Sequence, residues 1–62
     1  MSSVYILVPT SPKGKKWIKA HIDKDAMTFG GGIVVEYRYI GVIVNGMEKD
    51  GLKNGKDFLI RS

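Results

Sequence analysis

The chain contains no cysteine and only one histidine, His21, among its 62 residues. Disulfide bonds and thiolate metal sites are therefore excluded, and so is any metal site that needs two histidines from one chain. The longest apolar run, Val4 to Pro9, is far shorter than the roughly 18 residues that span a bilayer. We therefore expect neither a membrane span nor a signal peptide, and we expect the protein to act in a reducing cytoplasm.

Acidic residues are few relative to basic ones. Six Asp and Glu stand against ten Lys and Arg, which gives a formal net charge of +4 at pH 7. This balance favours nucleic acids, anionic lipids or acidic protein surfaces as partners, although many small proteins carry such a charge only for solubility. Hydrophobic residues make up 44% and charged residues 26% of the chain, as is typical of a globular domain. We expect residues 1–62 to form one domain with a small core.

Three short segments rich in β-branched and aromatic residues are predicted to be strands. Val4 to Val8 is almost continuously apolar, which is typical of a central strand buried on both faces, and Pro9 ends it because proline cannot donate to the ladder. Ile33 to Tyr37 and Asp57 to Ile60 are the other two strands. We expect the first strand to lie between them.

The segment after Thr10 is predicted to be a helix. Ser11 suits the N-cap position and Pro12 the first helical position. Alternation from Ile18 to Ile22 also fits a strand, and Gly14 lowers the helix propensity. A helical wheel gives the predicted helix two faces. The apolar face carries Trp17, Ile18, Ala20 and Ile22 with His21 among them, and the opposite face carries Lys15, Lys16, Lys19 and Asp23.

Trp17 is predicted to be the main core residue of this helix. A single small helix offers few other places to bury so large a ring. We therefore expect Trp17 to be largely buried against the sheet, near Ile6 or Val8. His21, within the same apolar arc, is expected to be a packed or partly buried imidazole.

The segment from Ile40 to Gly51 fits two structures. Its apolar residues have the i, i+3, i+4, i+7 spacing of a helix, and Gly51 stands where a glycine often ends one. Asn45-Gly46 is instead a strong hairpin signal, but the return strand of that hairpin would be very short. The helix gives a small α/β domain of order β-α-β-α-β, with two helices on a single three-stranded sheet. The alternative is a mostly β domain with Asn-Gly hairpins and one helix.

Three groups of residues suggest chemistry, and none has the full pattern that its site needs. Gly30-Gly31-Gly32 precedes a strand rather than a helix, so a turn is predicted instead of a phosphate loop. His21 and Asp23 lack a nucleophile and an oxyanion site. Nothing in the sequence brings Glu36 and Asp57 together, and no Asp-x-Asp-x-Asp loop is present. We therefore predict no catalytic residues, no metal site and no cofactor.

A lysine stripe on the first helix is a candidate nucleic-acid interface. Basic residues around an aromatic ring can contact phosphates while the ring stacks on a base. The same lysines are also explained as the solvated reverse face of a helix that buries Trp17. The lysine stripe consists of Lys13, Lys15, Lys16 and Lys19.

A second basic and aromatic cluster, Tyr37-Arg38-Tyr39, lies at the end of the second predicted strand. Tyrosine and arginine are enriched among the residues that dominate protein–protein binding energy. We therefore regard these three residues as the candidate partner-binding site. Packing at the end of a strand is the structural alternative.

Short segments spread over most of the chain form a recognisable pattern. They are Ile6-Leu7-Val8-Pro9-Thr10, Lys16-Trp17-Ile18, Phe29-Gly30-Gly31, Val34 to Ile40, Gly46-Met47, Gly51-Leu52 and Gly55 to Phe58. This pattern resembles small proteins encoded by bacteriophages and prophages. The resemblance provides no catalytic residues to transfer. It implies an accessory protein that binds and inhibits a host protein or a host defence complex, and it favours the helix over residues 40–51.

The sequence thus predicts a non-enzymatic protein that binds a host protein through Tyr37, Arg38 and Tyr39 in the host cytoplasm. The alternative is a small basic nucleic-acid-binding module that uses the lysine stripe. A third class, a small enzyme subunit completed by oligomerisation, has no catalytic residue to support it. No membrane partner is expected, and a homodimer is compatible with the sequence.

Overall fold

Four strands and two helices form along residues 3–61, the part of the chain that the computed structural model describes. The elements are β1 (Val4–Pro9), α1 (Pro12–His21), β2 (Thr28–Phe29), β3 (Gly32–Glu36), α2 (Tyr37–Lys49) and β4 (Phe58–Arg61). This order confirms the α/β fold class and the predicted helix at residues 40–51, which α2 largely covers. The sheet has four strands because the two-residue strand β2 adds to the three that were predicted.

Neighbouring strands are all antiparallel, in the order β2-β3-β1-β4. β1 therefore lies between β3 and β4, as predicted. Helix α1 connects β1 to β2, and α2 connects β3 to β4. In each case the two connected strands run parallel to each other and are separated by one strand, which is the split βαβ arrangement. Within residues 3–61 neither helix is long and apolar enough to cross a membrane.

Gly30 and Gly31 form the turn between β2 and β3. Their φ angles are 58° and 81°, in the left-handed region that glycine adopts without the steric penalty of a Cβ atom. Two such residues in succession are typical of a two-residue hairpin, and Phe29 pairs with Gly32 across it. The glycines therefore form a turn before a strand, as predicted.

One face of the sheet, the inner face, forms the core with both helices. Leu7 lies opposite Ile33 on one side and Ile60 on the other, so these side chains share the face. Helix α1 contributes Ile18 to the core and α2 contributes Met47. The buried apolar residues are Leu7, Ile18, Ile33, Val35, Met47, Leu52 and Phe58.

The opposite face of the sheet, the outer face, has neither helix packed on it. Its apolar residues are neither in the core nor packed against it. The prediction that β1 is buried on both faces is therefore wrong for residues 3–61 of one chain. Leu7 is the only buried residue of the strand. The register places Val4, Ile6 and Val8 of β1 on the outer face, with Val34 and Glu36 of β3 and Leu59 and Arg61 of β4.

Trp17 lies between the two helices, so the prediction that it is buried against the sheet near Ile6 or Val8 is wrong. The side chain is half-buried, and a Cβ atom added to Gly46 of α2 would lie 3.5 Å from its Cζ2 atom. The residue of α1 that enters the core is Ile18. Successive helical residues are about 100° apart, so a helix that points Ile18 at the sheet turns Trp17 towards the neighbouring helix.

The start of α1 is fixed to the loop before β4. Ser11 is the N-cap, as predicted, and its Oγ accepts a hydrogen bond from the Gly14 amide at 3.0 Å. The same Oγ donates to Oδ1 of the buried Asp57 at 2.6 Å, and the Lys53 amide donates to Oδ2 at 2.9 Å. The hydrogen bond from Ser11, followed by that from Lys53, holds the pKa of Asp57 below its ordinary value.

Candidate functional site

Tyr37, Arg38 and Tyr39 form the first turn of α2. Strand β3 ends at Glu36, one residue earlier than predicted, and Glu36 is the N-cap of the helix. Tyr37 is 64% exposed and Tyr39 is 52% exposed. The cluster therefore lies on a solvent-facing helix surface instead of packing at a strand end. Val42, one turn along, is 73% exposed, and we call Tyr37, Arg38, Tyr39 and Val42 together the α2 surface.

Arg38 is held between two neighbours. Its Nε and Nη2 atoms lie 3.0 Å and 2.9 Å from Oε2 of Glu36, and its Cζ atom lies 5.4 Å from the centroid of the Tyr39 ring. An exposed ion pair of this kind contributes little to stability. The two contacts do restrict the orientation of the guanidinium group, which reduces the conformational freedom that a partner would have to remove on binding.

A shallow apolar groove adjoins the α2 surface. Tyr39 belongs to both, and Glu36 is the one charged residue that lines the groove. The remaining lining comes from the end of α1, from β3 and from the second turn of α2, so three elements position it. The groove is lined by Ile22, Ile33, Val34, Val35, Glu36, Tyr39 and Ile43.

The lysine stripe is exposed along α1, as predicted. Lys13 donates from Nζ to the carbonyl oxygen of Gly51 at 3.3 Å, and no carboxylate within residues 3–61 forms an ion pair with any of the four lysines. Ala20 and His21 are also exposed. The predicted place of Ala20 on the packed face is wrong, because the residues of α1 and its end that pack in the core are Ile18 with the half-buried Trp17 and Ile22. The His21 ring is packed, as predicted, since it stacks on Trp17, although the residue stays exposed to solvent.

Trp17 is occupied by contacts within the chain and does not present a free ring for a base. Its Nε1 donates to Oδ2 of Asp50 at 2.6 Å. The His21 ring stacks on it, with centroids 4.1 Å apart and planes inclined by 16°. Lys13 and Lys16 of the lysine stripe stay beside Trp17, since they line the same hollow, but the ring itself is covered by His21.

His21 is placed by Trp17 and Asp50. Its Nδ1 lies 2.9 Å from the carbonyl oxygen of Trp17, and its Nε2 lies 4.0 Å from Oδ2 of Asp50. The pairing with Asp23 does not form; that carboxylate accepts a hydrogen bond from the amide of Asp25. No hydroxyl or thiol side chain lines the hollow beside the imidazole, which is formed by Lys13, Lys16, Trp17, Ala20, His21, Asp50 and Leu52.

The carboxylates considered for acid–base chemistry have separate structural partners. Glu36 pairs with Arg38, whereas Asp57 joins Ser11 to the loop before β4. Between residues 3 and 61 no group of three or more His, Asp or Glu side chains is placed to hold a metal ion. The α2 surface and the lysine stripe therefore remain as the two candidate binding surfaces from the sequence.

Comparison of the chain with protein-family models, with curated proteins and with solved structures found no match. The resemblance to phage-encoded proteins therefore stays a prediction. The function has to be inferred from the exposed surfaces of the fold.

Proposed function

We propose that this chain is a non-enzymatic protein-binding domain that recognises its partner through the α2 surface. The supporting observation is the exposure of Tyr37, Tyr39 and Val42 around an arginine whose orientation is already restricted. Aromatic and arginine side chains of this kind supply most of the binding energy in many interfaces. The adjoining groove can accept apolar side chains of the partner beside this anchor.

The partner is proposed to be a host protein or a defence complex in the host cytoplasm, which the domain inhibits by occupying its surface. The pattern that resembles phage proteins supports this choice. The net charge of +4 favours a partner with an acidic surface, because opposite charges accelerate encounter and orient the complex. A carboxylate on such a partner can approach Arg38 beside the tyrosines.

Nucleic-acid binding by the lysine stripe is the second candidate. It is favoured by four exposed lysines that lack carboxylate partners in residues 3–61. Because the Trp17 ring is occupied, such binding would depend on phosphate contacts. With four lysines engaged, the slope of log affinity against log salt would approach about −3 to −4 on duplex DNA.

Capture of the partner with matched variants distinguishes the two candidates. The immobilised chain is incubated with nuclease-treated host lysate, and binding of the captured protein is then measured. Tyr37→Ala combined with Tyr39→Ala is expected to weaken this binding by about tenfold or more. The matched control combines Lys15→Ala, Lys16→Ala and Lys19→Ala, which is expected to leave binding within about threefold, because rim charges mainly affect association rates.

Both sets of substitutions replace exposed side chains, so we expect the free energy of unfolding to change by no more than about 0.5 kcal/mol per site. Circular dichroism of each variant checks this. Loss of protein binding in the lysine variant alone would contradict the proposal. Capture of nucleic acid alone, with a salt slope that flattens in the lysine variant, would favour the second candidate.

A further inference from the structure

The outer face of the sheet is apolar where a solvated face would be polar. Antiparallel sheets that face water on one side commonly alternate apolar residues inward with polar residues outward. Here β1 and β3 place the half-buried Ile6, Val8 and Val34 outward. At the two edges of the sheet, Phe29 is 69% exposed and Leu59 is 43% exposed. This face therefore has the character of an interface rather than of a free surface.

The outer face lacks the surplus positive charge of the chain. Among the strand positions of residues 3–61, the charged residues on this face are Glu36 and Arg61, one of each sign. The lysine stripe lies on α1, which packs on the other side of the sheet. An acidic partner would therefore be drawn to the side of the sheet that carries the helices rather than to this face. Two copies of the chain, by contrast, can bring their outer faces together while their lysine stripes stay far apart.

The two most exposed apolar residues of the strands lie at opposite ends of one row across the sheet. Phe29 of β2 pairs with Gly32, and Val8 pairs with Leu59 of β4. The row is continuous because a Cβ atom added to Gly32 would lie 2.8 Å from Cγ2 of Val8. A twofold axis that runs parallel to the strands, between β1 and β3, places Leu59 of one copy over Phe29 of the second. It also places Phe29 of the first copy over Leu59 of the second. The face is thus self-complementary, as an isologous dimer requires.

We infer that the outer face is the interface of a homodimer in which the sheets of two copies pack face to face. The strands of the two sheets would run within about 30° of each other, with the sheets about 10 Å apart. The two longest extents of the molecule, 30 Å and 20 Å, limit the total buried area to about 1,200 Å², the lower end for specific interfaces. A dimer with so small an interface is expected to be weak. It leaves the α2 surface exposed, but Val34 and Glu36 of the adjoining groove lie on the dimer face.

Sedimentation equilibrium of the full chain, from about 1 to 500 μM, tests the dimer. The mass is expected to rise from 6.9 kDa towards twice that value. Leu59→Lys and Phe29→Glu are each expected to raise the dissociation constant by about tenfold or more. The double variant is expected to recover dimerisation, because the lysine introduced at position 59 of each copy would lie over the glutamate introduced at position 29 of the other. Ala20→Lys, at an exposed position of α1, is the matched control and is expected to leave the dissociation constant unchanged.

A wild-type chain that remains monomeric at about 500 μM would overturn the inference, whatever the variants do. A dimer that neither single substitution weakens would also overturn it, because the interface would lie elsewhere. Failure of the double variant to recover would overturn the twofold arrangement. Circular dichroism confirms folding of each variant, and Phe29→Ser replaces Phe29→Glu if the charged variant does not fold. Partner binding by the α2 surface is measured separately, so either proposal can fail without the other.

Discussion

Gly14 is predicted to be essential for the stability of the fold, although it lies inside a helix. On propensity alone, Gly14→Ala should stabilise α1 by up to about 1 kcal/mol. The structure predicts the opposite, because a Cβ atom at Gly14 would overlap the backbone carbonyl oxygen of Asp57. That oxygen also accepts a hydrogen bond from the Thr10 amide at 2.9 Å, so it cannot move away from α1 without breaking a contact that fixes the loop.

The expected loss comes from two effects. Forcing a methyl group into a closely packed site costs about 1 to 3 kcal/mol. Separating α1 from the loop weakens the hydrogen bonds to Asp57, and leaving buried polar groups without partners costs a further 1 to 3 kcal/mol or so. After a gain in helix propensity of about 1 kcal/mol is subtracted, we expect Gly14→Ala to lower the free energy of unfolding by about 1 to 5 kcal/mol. A domain of this size is expected to have little stability beyond that.

Gly41→Ala provides the matched control. Gly41 is also in a helix, but nothing lies within 4 Å of the position that its Cβ atom would take. This substitution should therefore stabilise the fold by up to about 1 kcal/mol. Urea unfolding followed by circular dichroism, with linear extrapolation to water, measures both variants. A Gly14→Ala variant as stable as the wild type or more so would refute the packing of α1 against the loop.

Three further variants test other parts of the fold. Gly46→Ala should stabilise α2 by up to about 1 kcal/mol in urea unfolding, since its Cβ atom would make ordinary contact with Trp17 at 3.5 Å; a measured loss would instead favour an Asn-Gly hairpin. Trp17→Ala should cost about 2 to 3 kcal/mol, below the range for a fully buried tryptophan, and a wild-type emission maximum equal to that of free indole in water would contradict its packing. Asp57→Asn should remove the acid sensitivity that Asp57 causes. The lowered pKa means that its carboxylate stabilises the fold at pH values above its ordinary pKa of 3.8, and this stabilisation is lost as the pH falls through the folded-state pKa. Unfolding midpoints between pH 7 and about pH 2 should converge for wild type and variant at the acid end.

Local signals in the sequence predicted most of the fold. The start of α1 follows from Ser11-Pro12, because capping depends on residues that are adjacent in the chain. The apolar spacing correctly favoured α2 over a hairpin at Asn45-Gly46, and Gly46 lacks the positive φ that such a turn requires. Strand β2 was missed because two residues carry no periodicity, although Gly30-Gly31 is a recognised hairpin signal.

Contacts between distant segments could not be predicted in the same way. A helical wheel gives the directions of side chains but not the neighbour that each direction meets, so Trp17 was assigned to the sheet rather than to α2. Its partner Asp50 is 33 residues away, and no motif connects the two. Sequence composition identified Tyr37, Arg38 and Tyr39 as candidates, but their exposure depends on where β3 ends and α2 begins. The outer face likewise becomes visible only when the strand register is known.

Site-specific photo-crosslinking in host cells tests the proposed protein-binding function most directly. A photoreactive phenylalanine analogue is placed at Tyr37 on the α2 surface or, as the control, at Lys15 on the lysine stripe. Both positions are exposed, so the two variants differ in the surface that they report. We expect a discrete adduct with one other protein from Tyr37 and none from Lys15. An adduct with nucleic acid from Lys15, together with no protein adduct from Tyr37, would contradict the proposed function.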